Sequence, residues 1–186
     1  MSSASPDRPR VVAHVAVSLD GATAGFAADV ATFYELATTW QEDVTLTGAG
    51  TNLAQEEALA TAPQPGPRPD GPLLAVSGAR TPARPDLPGE ELRVGGDRVD
   101  LAALLTTLGS RPGVVTVRVD SGGGLLGALL AGGLVDEVSL LVHPVLAGIV
   151  GDRRWFGTEP PATVLALQDA RQLAGDLVWL RYRPVP

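Results

Sequence analysis

The sequence predicts an α/β protein with a mixed, mostly parallel central sheet and an antiparallel hairpin at its C-terminal edge. Three observations predict it. Short β-branched runs alternate along the chain with apolar segments of helical spacing, the pattern of strand–helix–strand units. Two of the strand-to-helix junctions are glycine-rich, GAGT at 48–51 and SGGGLLG at 121–127. The chain then closes on VLALQDARQLAGDLVWLRYRP, two strand-like runs turning near Gly175-Asp176.

Each element follows in order. Residues 1–9 are polar and Pro-containing and read as a disordered tail, leaving 10–186 as one domain. RVVAHVAVS (10–18) is a buried strand running into the turn at Asp20-Gly21. DVATFYELATTW (29–40) sets Val30, Phe33, Tyr34 and Ala37 at helical spacing behind Asp29 as N-cap. DVTLTG (43–48) is a strand, and GAGTNLAQEEALA opens a second helix with Thr51 in its first turn. The Pro/Gly-dense stretches 62–72 and 81–90 are surface loops flanking the strand LLAVS (73–77). LRVGG (92–96) is a short strand, and Asp100 caps the helix LAALLTTLG. VVTVRVD (114–120) is a strand leading into the glycines, LLGALLAGG a short helix, and EVSLLVHPVLAG a strand.

Composition narrows the chemistry. The net charge of −7, without any cluster of positive residues, argues against a nucleic-acid face. All basic residues are Arg, so a P-loop lysine and Schiff-base chemistry are excluded. With no Cys there is no thiolate chemistry and no cysteine-ligated zinc, and no metal site is expected. No apolar run reaches the roughly 20 residues of a membrane helix, and the N-terminus lacks a signal-peptide core. The expected location is the cytoplasm, with no membrane partner.

Gly122, Gly124 and Gly127 satisfy G-x-G-x-x-G between a strand and a helix, where backbone N–H groups can cradle a phosphate. A dinucleotide-binding βαβ unit of that kind also needs an acid at the end of the next strand; that strand ends at Val142-His143-Pro144. Phosphate binding therefore stands without that fold. GAGT repeats the arrangement, and a third strand ends in Ser77-Gly78-Ala79-Arg80, bringing a guanidinium to the same edge.

AVSLDG (16–21), LTGAGTNL (46–53) and DSGGGLLGALLAGGLVDEVSLLVHPVLAG (120–148), in that order, resemble the reductase domain of riboflavin-biosynthesis deaminase/reductases, which shares the dihydrofolate reductase fold. The resemblance covers about residues 10 to 183. It implies a dihydrofolate reductase-like three-layer α/β/α architecture, NADPH as cofactor, and a homodimer. It also implies that Gly48, Thr51, Ser77 and the segment Gly122, Gly123, Gly124, Leu125 and Leu126 contact NADPH. Arg80 is the candidate for the 2′-phosphate, on electrostatic grounds. Asp120 stands where the family has a substrate-contacting Glu, and Leu59 where another substrate contact is expected. Ser18 and Asp20 would edge the cleft by the nicotinamide, with Asp20 or a water as proton donor. Phe33, with Tyr34 and Glu35, lies on the helix that lines the substrate side. The chain departs from riboflavin-pathway members at about Thr39 and near Ala62, where they carry Arg, and Gln55-Glu56-Glu57 replaces their Asp-Asp-Pro.

The expected activity is NADPH-dependent hydride transfer to a C=N or C=O of a small pyrimidine- or pterin-like substrate. The other class the sequence allows is a nucleotide-binding protein that keeps the cleft without catalysis. His14 and His143, Trp40, Trp155 and Trp179, and Asp136-Glu137 read as structural, and Arg153-Arg154 as a surface pair.

Overall fold

The nine residues Arg10–Ser18 form β1, almost entirely buried, and the sheet is built outward from it on both sides. The structure is a computed structural model that describes residues 8–48, 63–77, 90–92, 99–148, 154–157 and 162–185. After β1 come α1 (Val30–Ala37), β2 (Val44–Gly48), β3 (Leu73–Ser77), β4 (Glu90–Leu92), α2 (Leu101–Gly109) and β5 (Thr116–Val119). Then follow α3 (Gly124–Ala131), β6 (Glu137–His143), β7 (Val164–Gln172) and β8 (Val178–Val185). The sheet order is β4-β3-β2-β5-β1-β6-β8-β7. The first six in that order run parallel, while β8 is antiparallel to β6 and to β7, so the mixed sheet carries the expected hairpin at one edge.

Local chemistry explains the helix starts. Asp29 accepts the Thr32 N–H at 2.9 Å and Asp100 accepts the Ala103 N–H at 3.0 Å, as N-cap carboxylates do. β4 begins two residues before the run expected for it, with Ala75–Ser77 of β3 paired to Glu90–Leu92; residues 93–96 of that run lie outside the described residues. The helix expected after GAGT lies outside the described residues.

The two faces of the sheet differ in kind. Val11, Ala13, Val15 and Val17 of β1, with Val117 and Val119 of β5, point to an apolar core under Leu104, Leu105 and Leu108 of α2 and Leu126, Leu129 and Leu130 of α3. The opposite face, under α1, combines Val12, Phe33, Tyr34, Ala37, Trp40 and Trp179 with buried His14, Arg118, Asp120 and Ser139. The period-2 alternation of strands assigns residues to these faces.

Close packing accounts for one of the glycines. A Cβ on Gly127 would sit 2.5 Å from the Phe156 carbonyl oxygen. Gly127→Ala should cost about 1–3 kcal/mol of stability, because backbone and not a flexible side chain must give way. Denaturant unfolding reads this directly; an unchanged midpoint would remove the packing role.

Candidate functional site

Parallel pairing puts the carboxyl ends of five strands on one edge. Ser18 of β1 is level with His143 of β6, Gly48 of β2 with Ser77 of β3, and Val119 of β5 with Leu46 and Ala13. Ligands of open α/β sheets collect at such an edge. Asp120 and the glycine loop leave β5 there.

The loop has a closed side and an open side. A Cβ on Gly122 would meet Thr23 Cγ2 at 2.7 Å, so glycine lets the loop lie against the turn after β1. Gly123 has φ +63°, donates its N–H to the Trp155 carbonyl at 3.1 Å, and leads into α3 without a capping side chain. Gly124, the first residue of α3, is exposed, and a Cβ there would meet nothing within 4 Å among the described residues. Among the described residues no acceptor is found for the N–H groups of Gly124, Leu125 and Leu126. These orphan donors and the positive end of the helix form an anion cradle suited to a pyrophosphate. Leu126 enters the cradle through its backbone only, since its side chain is core.

Asp120 sits on the α1 side of the same edge and is 4% exposed. Its Oδ2 accepts from the Tyr34 hydroxyl at 3.1 Å and from Arg118 Nη1 at 3.2 Å. Arg118 is itself buried and is held by Glu42 at 2.5 Å through Nε and by Thr45 Oγ1 at 3.3 Å. Burial opposes the Arg118 charge, but Asp120 and Glu42 outweigh it and hold the guanidinium above its usual pKa. Burial and the Asp120 charge push the Tyr34 hydroxyl far up, so it remains an O–H donor.

The turn after β1 departs from its expected role. Ser18 is 1% exposed; its hydroxyl donates to Asp20 Oδ1 at 2.6 Å and accepts the Ala22 N–H at 2.9 Å. Asp20 also accepts the N–H groups of Ala147 at 3.0 Å and Gly148 at 3.2 Å. The Ser18 hydroxyl first, then these backbone donors, bring its pKa down to about 2. An anion so held is a poor proton donor at neutral pH, so Asp20 anchors the turn instead of supplying acid. Its folded pKa lies below the usual carboxylate value of about 3.9, so the anchoring is complete above that pH and is lost as pH falls toward 2. The amide shifts of Ala147 and Gly148 should therefore titrate with a midpoint near 2, not near 4.

Phe33 is likewise structural in placement: it is 6% exposed and stacks on His14 at 4.1 Å. His14 is fully buried, donating from Nε2 to the Phe33 carbonyl and accepting at Nδ1 from Ser139, both at 2.9 Å. Burial first, with the Arg118 charge, lowers its pKa to about 3, so it stays neutral. Trp40 donates to Glu137 at 3.2 Å and belongs to the core. His143 Nε2 accepts the Asp29 N–H at 2.9 Å, tying the start of α1 to the end of β6. Gly48 and Ser77 end their strands side by side on the site edge. Thr51, Leu59 and Arg80 lie outside the described residues. Tyr34's contact, Arg118 and Glu42 escaped the sequence reading, although an Arg within the β-branched run VVTVRVD was the signal available.

The family model for the RibD C-terminal domain matches residues 9–179, most of the chain. The chain belongs to the RibD C-terminal domain family. Solved structures agree on the fold. RibD from Acinetobacter baumannii superposes with a TM-score of 0.74 at 22% identity, over 97% of this chain and 59% of that one. A pyrimidine reductase-like protein from Corynebacterium diphtheriae gives 0.72 at 17% identity, over 97% and 93%. A riboflavin biosynthesis reductase from Saccharomyces cerevisiae gives 0.63 at 20%, over 99% and 93%. The chain thus spans 59% of the length of the A. baumannii protein. Comparison with curated proteins returns no match. Among the described residues no helix is long and apolar enough to cross a membrane, and no group of three or more His, Cys, Asp or Glu could hold a metal.

Proposed function

We propose that this RibD C-terminal domain is an NADPH-dependent reductase acting on a C=N or C=O carbon of a small pyrimidine- or pterin-like ring. The observation that carries the reading is a pairing on one sheet edge. Among the described residues, an uncapped helix start with open space at Gly124 lies on the same edge as a buried carboxylate, Asp120, that accepts from the Tyr34 hydroxyl and Arg118 Nη1.

The residues fit such a cofactor. The N–H groups of Gly124, Leu125 and Leu126 would hold its pyrophosphate, with Gly48 and Ser77 ending their strands on the same edge; Thr51 and, for the 2′-phosphate, Arg80 are the further contacts the sequence nominates. When bound, the nicotinamide supplies the hydride. The chain's own residues position the ring: Asp120 accepts from ring N–H donors, and Ser18 and Asp20 fix the turn that borders the cleft. A water is the proposed proton source: among the described residues Asp20 is tied into the turn as an anion and His14 is buried and neutral. A homodimer completes the proposal, supported by the apolar Val164 and Leu167, which are 68% and 55% exposed on the edge strand β7; light scattering should return twice the chain mass.

Thermal unfolding tests the cofactor half. A ligand that binds only the folded chain stabilises it by about 2.7 kcal/mol at a hundredfold excess over Kd. NADPH should raise the melting temperature more than NADH, and Arg80→Ala should erase most of that difference. No shift with either dinucleotide would overturn the reading. NADPH oxidation against pyrimidines, pterins and aldehydes tests the chemistry; a melting shift with no turnover on any of them would favour a binding protein.

A further inference from the structure

The α1 face of the sheet hides a guanidinium with no opening to solvent. Arg118 is 1% exposed, Glu42 is fully buried, and Glu42 Oε2 finds no hydrogen-bond partner among the described residues. Such a pair is a poor way to stabilise a core, since apolar residues of similar volume serve as well or better. Its geometry suggests another purpose. Each arm of the guanidinium is fixed separately: Nε to Glu42, Nη2 to Thr45, and Nη1 to Asp120. The Tyr34 ring lies 5.8 Å from the guanidinium carbon, and its hydroxyl meets the same Asp120 oxygen that Nη1 does. Two donors from two elements, α1 and β5, therefore converge on one carboxylate oxygen.

We propose that Tyr34 and Arg118, with Glu42 behind Arg118, are positioning residues that set the plane and place of the Asp120 carboxylate for ring N–H donors. The inference rests on the reading of Asp120 as the ring-binding group. Glu42 fixes the pivot of the guanidinium, the guanidinium and the phenol fix Asp120, and none of the three needs to touch the ligand. The sequence separations are large: Glu42 and Arg118 are 76 residues apart, Tyr34 and Asp120 86. Only the folded sheet brings them into one chain of contacts.

The test uses the full chain and 2,4-diaminopyrimidine as probe, with affinity read by calorimetry. Tyr34→Phe removes one hydroxyl and keeps the ring; it should weaken binding roughly 3- to 10-fold. Glu42→Leu/Arg118→Met removes the guanidinium together with one of its two carboxylates and leaves the Asp120 carboxylate with the Tyr34 hydroxyl, so some stability is lost, while binding by the folded variant weakens roughly 100-fold as the carboxylate loses its orientation. Neither change should alter the melting shift produced by NADPH, which a general loosening of the structure would reduce. Variants that bind the probe as tightly as the parent chain would overturn the positioning role and leave the reductase reading intact. A parent chain that does not bind the probe would overturn it together with the ring-binding role of Asp120, while the NADPH melting shift still reports on the cofactor cradle alone. Should the double variant fail to fold, unchanged affinity in Tyr34→Phe is by itself contradictory.

Discussion

Gly124→Asp should make the fold more stable and cofactor binding far weaker. Gly124 is exposed, opens α3, and has space where a side chain would grow. Its φ lies outside the positive range, so a side chain there is not strained. A carboxylate in the first turn of a helix interacts favourably with the macrodipole, worth about 0.3–1 kcal/mol, and removing glycine from a helix adds about 0.5–1 kcal/mol. The same charge occupies the place proposed for a pyrophosphate. Like charges about 4 Å apart near a protein surface repel by up to about 4 kcal/mol, so NADPH affinity should fall by roughly 30- to 1,000-fold. Few substitutions are expected to move stability and binding in opposite directions. Denaturant midpoint and NADPH affinity, measured on the same preparation, read both signs. A variant that binds NADPH normally would displace the cradle from the start of α3.

Asp120→Asn should do the converse, sparing the cofactor and damaging the chemistry. The amide can still accept from Tyr34 at Oδ1, but it loses the charge that Arg118 and Tyr34 converge on. Turnover should drop about 100-fold, the scale of losing one oriented, charge-assisted contact to the reacting ring. NADPH affinity should stay within about twofold, since the α3 N–H groups are untouched. Stability should fall by about 1–3 kcal/mol, because among the described residues the buried guanidinium then keeps Glu42 alone as a charged partner. A loss of NADPH binding as large as the loss of turnover would merge the two halves of the site.

The fold was legible because most of its signals are local. β1, the Asp29 and Asp100 caps and the hairpin turn at Gly175-Asp176 each follow from a few adjacent residues. The glycine loop was legible as a strand-to-helix junction, but its internal division was not. Gly122 and Gly127 serve packing against Thr23 and Phe156, partners remote in sequence, while a Cβ on Gly124 would meet nothing within 4 Å among the described residues. The turn residues Ser18 and Asp20 were placed at the correct edge, yet their chemistry depends on Ala147 and Gly148, more than a hundred residues away. Phe33 was assigned toward the cleft by its helix; its ring instead packs on His14, a contact that helical spacing alone does not reveal. Arg118 shows the same limit most plainly. Within a β-branched strand it looks like an interruption, while alternation places it on one face with Asp120, and Glu42 and Tyr34 complete the set only in three dimensions.

Amide chemical shifts in an NADPH titration decide whether the start of α3 holds the dinucleotide. Saturable shifts are expected at Gly124, Leu125 and Leu126, and none of them in Gly124→Asp. Shifts confined to other parts of the chain, or none at saturating NADPH, would contradict it.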